Sequence, residues 1–228
     1  ERLAALPGKK IGLVWASGET YLFHKFRTMR LEQLSPLLQI PGVSWVSLQK
    51  GGGAAQLAEE SWAGRIFDPM GEVDDFAGTA AIIANLDLVI SVDTSVPHLA
   101  GAMGKPVWLL DRFDTDWRWL LGRNDSPWYP TMRIFRQTAF AHWDSVVPKV
   151  VGALAAWVSG EPERVLDDAQ PLAADLALRA QAGPSPTPAL KLNLGCGNRK
   201  MAGFVNVDCV AVCQPDMVVN LEATPWPW

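Results

Sequence analysis

The segment DLVISVD, residues 87–93, is apolar almost throughout, and no other stretch of this chain constrains its fold so tightly. It reads as a central β-strand covered on both faces, as strands are in a parallel sheet sandwiched by helices. The same grammar recurs on either side. KIGLVW (10–15), VSWVSLQ (43–49), a weak RIFD (65–68), KPVWLL (105–110) and MRIF (132–135) read as further strands. Between the first two, Leu31, Leu34, Leu37 and Leu38 recur at helical spacing, with Pro36 keeping that helix short or bent. KGGGAAQ (50–56) reads as a loop. DDFAGTAAIIANL (74–86) reads as a helix with Phe76, Ala80 and Ile83 on one face, and WDSVVPKVVGALAAWV (143–158) as a closing helix with Asp144 as its N-cap. Alternation this regular predicts an α/β domain with a mostly parallel sheet and right-handed crossovers over residues 1–160.

Composition sets the outer limits. Hydrophobic residues make up 49% and charged residues 19%, ample material for a core. The net charge of −4, with no Lys/Arg run longer than two residues, leaves no electrostatic footprint for nucleic acid. Eleven Trp stand against two Tyr, and most of the Trp are expected in the core. The three Cys (196, 209 and 213) fall in the last 33 residues, a pattern that is neither a disulfide framework nor a zinc set. A reduced, cytoplasmic protein is expected. The start carries no signal-peptide pattern, and no apolar run reaches the length of a membrane span. With no initiator Met and an abrupt TPWPW end, the chain is expected to be part of something longer.

After Ser159 the character changes. Residues 161–189 read as an Ala/Pro-rich linker ending in the extended GPSPTP (183–188), and residues 190–228 as the start of a second unit.

SVDTSVPHLAGAMGKPVWLL (91–110) carries most of the functional information. Open parallel sheets bind ligands beyond the carboxyl ends of their strands, and Asp93-Thr94-Ser95 stands at such an end. A short helix from about Val96 to Met103 follows, with Pro97 suited to its first turn and Gly104 to its stop. Its unpaired N–H groups and positive dipole end form an anion site, to which Thr94 and Ser95 add hydroxyls. A pyrophosphate suits this corner. On sequence mechanics alone the plainer reading is stronger: Thr94 or Ser95 caps the helix, Asp93 fixes the turn and His98 fills a pocket.

The longer motif DLVISVDTSVPHLAGAMGKPVWLL, with DTDWRWLLGRNDSPWYPTMRIFRQ (114–137) and IPGVSWVSLQKG (40–51), resembles the donor-binding C-terminal half of GT-B glycosyltransferases. Heptosyltransferases and the bacterial tetratricopeptide-repeat, O-GlcNAc-transferase-like enzymes are the similar groups, and the likeness spans residues 8–157. It implies a Rossmann-like domain that holds a nucleotide-diphosphate sugar for transfer to an acceptor hydroxyl on a glycan or protein. The acceptor and the general base would belong to an N-terminal domain, with or without tetratricopeptide repeats, that this chain lacks. This chain alone would therefore bind donor but transfer sugar poorly or not at all. No bound metal is implied, so cations and a helix dipole must stabilise the leaving diphosphate. The resemblance assigns Ser17, Gly18, Lys25, Arg27, Thr94, Ser95 and His98 to the diphosphate. The loop carrying Lys25 is shorter here than in the relatives. Asp93, a poor neighbour for phosphate, would accept sugar or ribose hydroxyls or hold loop amides. Gln49 and Lys50 would border the nucleoside. Trp117, Trp119, Trp128 and Tyr129 are expected to pack first and to form acceptor-side surface second.

LKLNLGCGNRKMAGFVNVD (190–208) resembles the opening of a class I methyltransferase that uses S-adenosylmethionine. The likeness implies that Gly195, Cys196 and Gly197 let backbone approach the cofactor and that Asp208 accepts its ribose hydroxyls. Asn220 stands where an acidic residue is frequent, and the segment supplies about three strands, an incomplete second Rossmann-like sheet. Two rival readings stand beside the glycosyltransferase. One is a non-catalytic nucleotide-binding or scaffold module. The other is a methyltransferase with an accessory domain.

Overall fold

Six strands account for the first domain, and their order fixes where a ligand can sit. The computed structural model describes residues 2–19, 24–59, 62 and 64–160, together with three short strands further on. The elements are β1 (Lys9–Val14), α1 (His24–Arg27), β2 (Val43–Ser47), β3 (Ile66–Phe67), α2 (Phe76–Ala84), β4 (Leu88–Val92), α3 (Ser95–Ala102), β5 (Val107–Asp111), β6 (Met132–Arg136) and α4 (Val147–Ser159). The sheet runs β3-β2-β1-β4-β5-β6 and every pairing in it is parallel. This is an α/β, Rossmann-like fold.

The predicted central strand is central. β4 pairs with β1 through Ile11↔Leu88 to Val14↔Ser91 and with β5 through Val89↔Val107 to Val92↔Leu110, and all five of its residues are buried. β5 is buried along its whole length as well. Side chains such as Ile11, Leu13, Ile90 and Leu109 lose all contact with solvent, worth roughly 1.5–3 kcal/mol apiece in apolar transfer. Polar residues enter the interior mainly where strands end. Gln49 follows β2, Asp93 follows β4, Asp111 ends β5 and Gln137 follows β6, all buried.

Several elements differ from the sequence-based expectation. The leucine-spaced segment is no α-helix but two 3-10 turns, Leu31–Leu34 and Leu37–Gln39, parted at Ser35-Pro36. All four leucines are buried nonetheless. The KGGG loop winds into a 3-10 stretch, Gly52–Ala58. Asp144 caps no helix: it lies in a 3-10 turn, Trp143–Ser145, and α4 starts two residues later behind Val146, with a proline in its first turn. Phe76 does not join the core face of α2 as Ile83 does; as the first helical residue it stays 61% exposed. Trp15, Trp45, Trp62, Trp108, Trp119 and Trp143 are buried as expected, whereas Trp117 and Trp128 are exposed rather than packed.

The chain divides into two units, Glu1–Ala173 and Ala174–Trp228. The second contains β7 (Leu192–Leu194), β8 (Val205–Asp208) and β9 (Met217–Val218), parallel and in that order, with Leu192↔Val205 and Val207↔Met217 in register. Asp208 ends β8. Gly195, Cys196, Gly197 and the proposed linker lie outside the described residues. Among the described residues, no helix is long and apolar enough to cross a membrane.

Candidate functional site

The chain runs from β1 outward to β2 and β3, then crosses back to β4 and proceeds the other way through β5 and β6. The strand order therefore reverses between β1 and β4, and the loops leaving these neighbours diverge to opposite faces. That leaves a crevice at their carboxyl ends, the usual ligand position in an open parallel sheet. A cavity of ≈ 410 Å³ lies there. Ala16 and Gly18 follow β1, Leu48, Gln49, Lys50 and Gly51 follow β2, and Thr94, Ser95 and Val96 follow β4. Met70, Asp74, Asp75, Phe76 and Thr79 line it from the approach to α2 and its first turn.

The anion-favouring side is the start of α3. Thr94 is the N-cap, in extended conformation, and its hydroxyl accepts from the Val96 amide at 3.3 Å. Ser91 Oγ lies 3.5 Å from the same hydroxyl, and Ser95 is exposed. Pro97 has no N–H and the Val96 N–H is engaged by Thr94, so the Ser95 amide is the first-turn donor left at the positive end of the helix dipole.

Gln49 builds the floor. Its Oε1 accepts from the Trp15 and Ala16 amides at 3.1 and 2.8 Å, and its Nε2 donates to the Ala16 and Lys50 carbonyls at 3.0 and 2.7 Å. With side-chain hydrogen-bonding capacity spent on backbone, it shapes the loop after β1 and borders the cavity through its stem. Lys50 donates its ammonium to the Val73 carbonyl, tying the end of β2 to the approach to α2. Ser17 is held against Thr28, its amide donating to Thr28 Oγ1 at 3.1 Å.

A charged cluster lies outside the cavity lining. Arg27 Nη1 donates to the Asp93 carbonyl at 3.0 Å and stands 3.4 Å from Oδ2, with both side chains largely buried. Asp93 Oδ1 is 4.0 Å from His98 Nε2. The His98 ring stacks on Trp119 with centroids 4.9 Å apart, and its Nδ1 lies 3.0 Å from the Tyr129 hydroxyl. Burial pushes the His98 pKa below its ordinary value; Asp93 pulls it back and Arg118 adds to the lowering. A neutral ring protonated on Nε2 satisfies both neighbours, accepting from Tyr129 and facing the carboxylate. At the next strand Arg136 Nε meets Asp111 Oδ2 at 2.8 Å. Burial nevertheless raises the Asp111 pKa against the pull of Thr115 and Arg136.

Of the residues the sequence assigned to a ligand, Gly18, Gln49, Lys50, Thr94 and Ser95 line the cavity. Ser17, Lys25, Arg27, Asp93 and His98 are not part of its wall. Arg27, Asp93 and His98 instead face one another, and Lys25 is exposed on α1. Sequence reasoning missed Met70, Asp74 and Phe76. The signal was present: they precede and open the helix after β3, at the same sheet edge as the predicted anion site.

No family model matches this sequence. Across 65% of its length the chain is 33% identical to Protein FlbA of Caulobacter vibrioides. The matched stretch is 25% of FlbA, so the chain spans about a quarter of that relative's length.

Proposed function

We propose that the first unit binds a nucleoside diphosphate, as the donor-holding half of a glycosyltransferase that moves a sugar from a nucleotide to an acceptor hydroxyl. The observation that carries this reading is the ≈ 410 Å³ cavity at the strand-order reversal, with the first turn of α3 on its wall. The Ser95 amide, the Thr94 and Ser95 hydroxyls and open Gly18 offer donors to diphosphate oxygens, and the apolar Val14, Leu48, Met70 and Val96 suit a nucleoside. In transfer, the bond from the anomeric carbon to the diphosphate breaks and one to the acceptor oxygen forms. The acceptor proton passes to a base that a separate acceptor domain supplies. The whole protein, with the methyltransferase-like segment and S-adenosylmethionine, would act on one glycan or glycoprotein.

A second reading has one observation in its favour. Arg27, Asp93 and His98 are engaged with each other and with aromatic rings rather than turned to the cavity. That arrangement suits a module that binds a nucleotide without promoting departure of the diphosphate. Calorimetric titration of the 228-residue chain with nucleoside diphosphates tests what both readings share. Binding in the micromolar range, about −7 to −8 kcal/mol, is expected. Absence of heat with every nucleotide, and no rise in thermal midpoint, would remove both. Sugar release from a nucleotide sugar on adding an acceptor domain separates the enzyme from the module.

A further inference from the structure

The cavity is chemically lopsided, and its second wall says what the nucleoside must look like. Near α3 it offers N–H and O–H donors. Between residues 70 and 79 its lining includes two aspartates and a phenylalanine. The Asp75 carboxylate is partly engaged, since Oδ1 accepts from the Gly78 amide at 2.7 Å as the N-cap of α2. Asp74 is exposed, and its carboxylate makes no ion pair or hydrogen bond with a described residue. The nearby cation, Lys50, gives its ammonium to the Val73 carbonyl. Phosphate oxygens are repelled from this wall, which places them at α3 and the base beside Asp74. Phe76, 61% exposed although it lines the cavity, presents a face on which a planar heterocycle can stack.

We propose that this site, read as a nucleotide site above, selects a nucleobase with an exocyclic amino group, guanine, adenine or cytosine, over uracil, with Asp74 as the discriminating acceptor. An ionised carboxylate only accepts hydrogen bonds. Guanine offers it two adjacent donors, N1–H and the 2-amino group. Adenine and cytosine offer an amino group at the edge of the ring. Uracil offers one N–H flanked by two carbonyl oxygens, so the second carboxylate oxygen faces a like partial charge. A site built around a hydrogen-bond acceptor rejects ligands that leave it unpaired.

The test is parallel calorimetric titration of the full chain with GDP, ADP, CDP and UDP. UDP is expected to bind about tenfold or more weaker than the best of the other three, a gap of about 1.4 kcal/mol. Asp74→Asn, whose amide both donates and accepts, should bring UDP to within about threefold of the others. Phe76→Ala should weaken all four by a common factor and leave their order unchanged. Two results overturn the inference: UDP binding as tightly as the best of the others, or a UDP gap in Asp74→Asn as wide as in the unsubstituted protein. If none of the four binds, the nucleotide reading itself falls and takes this selectivity with it. Selectivity failing while binding persists leaves that reading standing.

Discussion

Gln49 shows how much a single side chain decides at this site. It is 2% exposed and reaches from the end of β2 to the loop after β1, making four hydrogen bonds to backbone. Each net bond is worth about 1 kcal/mol, and a buried group left without its partner costs about 1–3 kcal/mol. Gln49→Leu, similar in size but unable to bond, is expected to lower stability by about 2–4 kcal/mol in urea unfolding and to abolish nucleotide binding. Gln49→Glu keeps the acceptor for the Trp15 and Ala16 amides but sets carboxylate oxygen against two carbonyls, so an intermediate loss is expected. A neutral result for Gln49→Leu would mean that the loop after β1 holds its shape without the clamp. The sequence placed Gln49 at the right end of the right strand, as a residue bordering the nucleoside; it lines the cavity, and its clamp on the backbone was not legible. A polar residue after a buried strand looks the same whether it turns toward a ligand or toward its own backbone. His98 has the same ambiguity, and the neighbours its ring meets, Trp119 and Tyr129, come from a loop its own segment does not reveal.

At the scale of elements, what was legible followed from local rules. β4 could be read because every residue in it had to be buried, and α3 because Thr94, Pro97 and Gly104 mark its start, first turn and stop. Gly104 does adopt a positive φ of 69°, where a side chain would be strained. The elements misread are those where tertiary packing overrode spacing. Leucines at helical intervals are equally well buried by two tight turns once Pro36 removes a donor between them. Asp144 is a good cap by composition, yet the chain spends one more turn before α4 begins. Helix α3 also carries a packing demand that its own sequence hides. A Cβ at Gly101 would lie 2.6 Å from Cγ of Tyr129, so the ring sits directly on the helix backbone. Alanine favours a helix over glycine by about 1 kcal/mol, but the ring has to move to admit it. Gly101→Ala is expected to lose about 1–3 kcal/mol overall and to weaken nucleotide binding by shifting α3. Thermal unfolding beside calorimetry checks this, and a more stable Gly101→Ala protein would show that Tyr129 is free to yield.

For the whole molecule, the alternation of strands and helices was enough to predict the layer architecture, while the position of the cavity needed the strand order, which alternation alone leaves open. The surface around that cavity was the least legible part, because a tryptophan in a loop has no periodicity to show whether it is covered. Trp117 is 70% exposed, and Phe113, Leu120, Leu121, Trp128 and Phe140 are exposed with it. Five of them belong to the segment between β5 and β6, and Phe140 to the segment after β6. Arg118 lies over the Trp117 ring at 5.3 Å, and Trp128 donates its indole N–H to the Arg118 carbonyl at 2.9 Å, so these rings are held in place rather than loosely displayed. Exposed apolar side chains held in place in this way suit contact with another protein surface, in keeping with the proposed acceptor domain. If that is their role, they contribute little to folding of this domain. Trp117→Ser with Leu121→Ser is then expected to change unfolding free energy by no more than about 0.5 kcal/mol per site, as for ordinary surface positions. The same pair should reduce binding of an apolar dye and self-association in ultracentrifugation, while nucleotide affinity stays within about twofold, since neither residue lines the cavity. A loss of more than about 2 kcal/mol would instead make these side chains part of the packing that closes the domain.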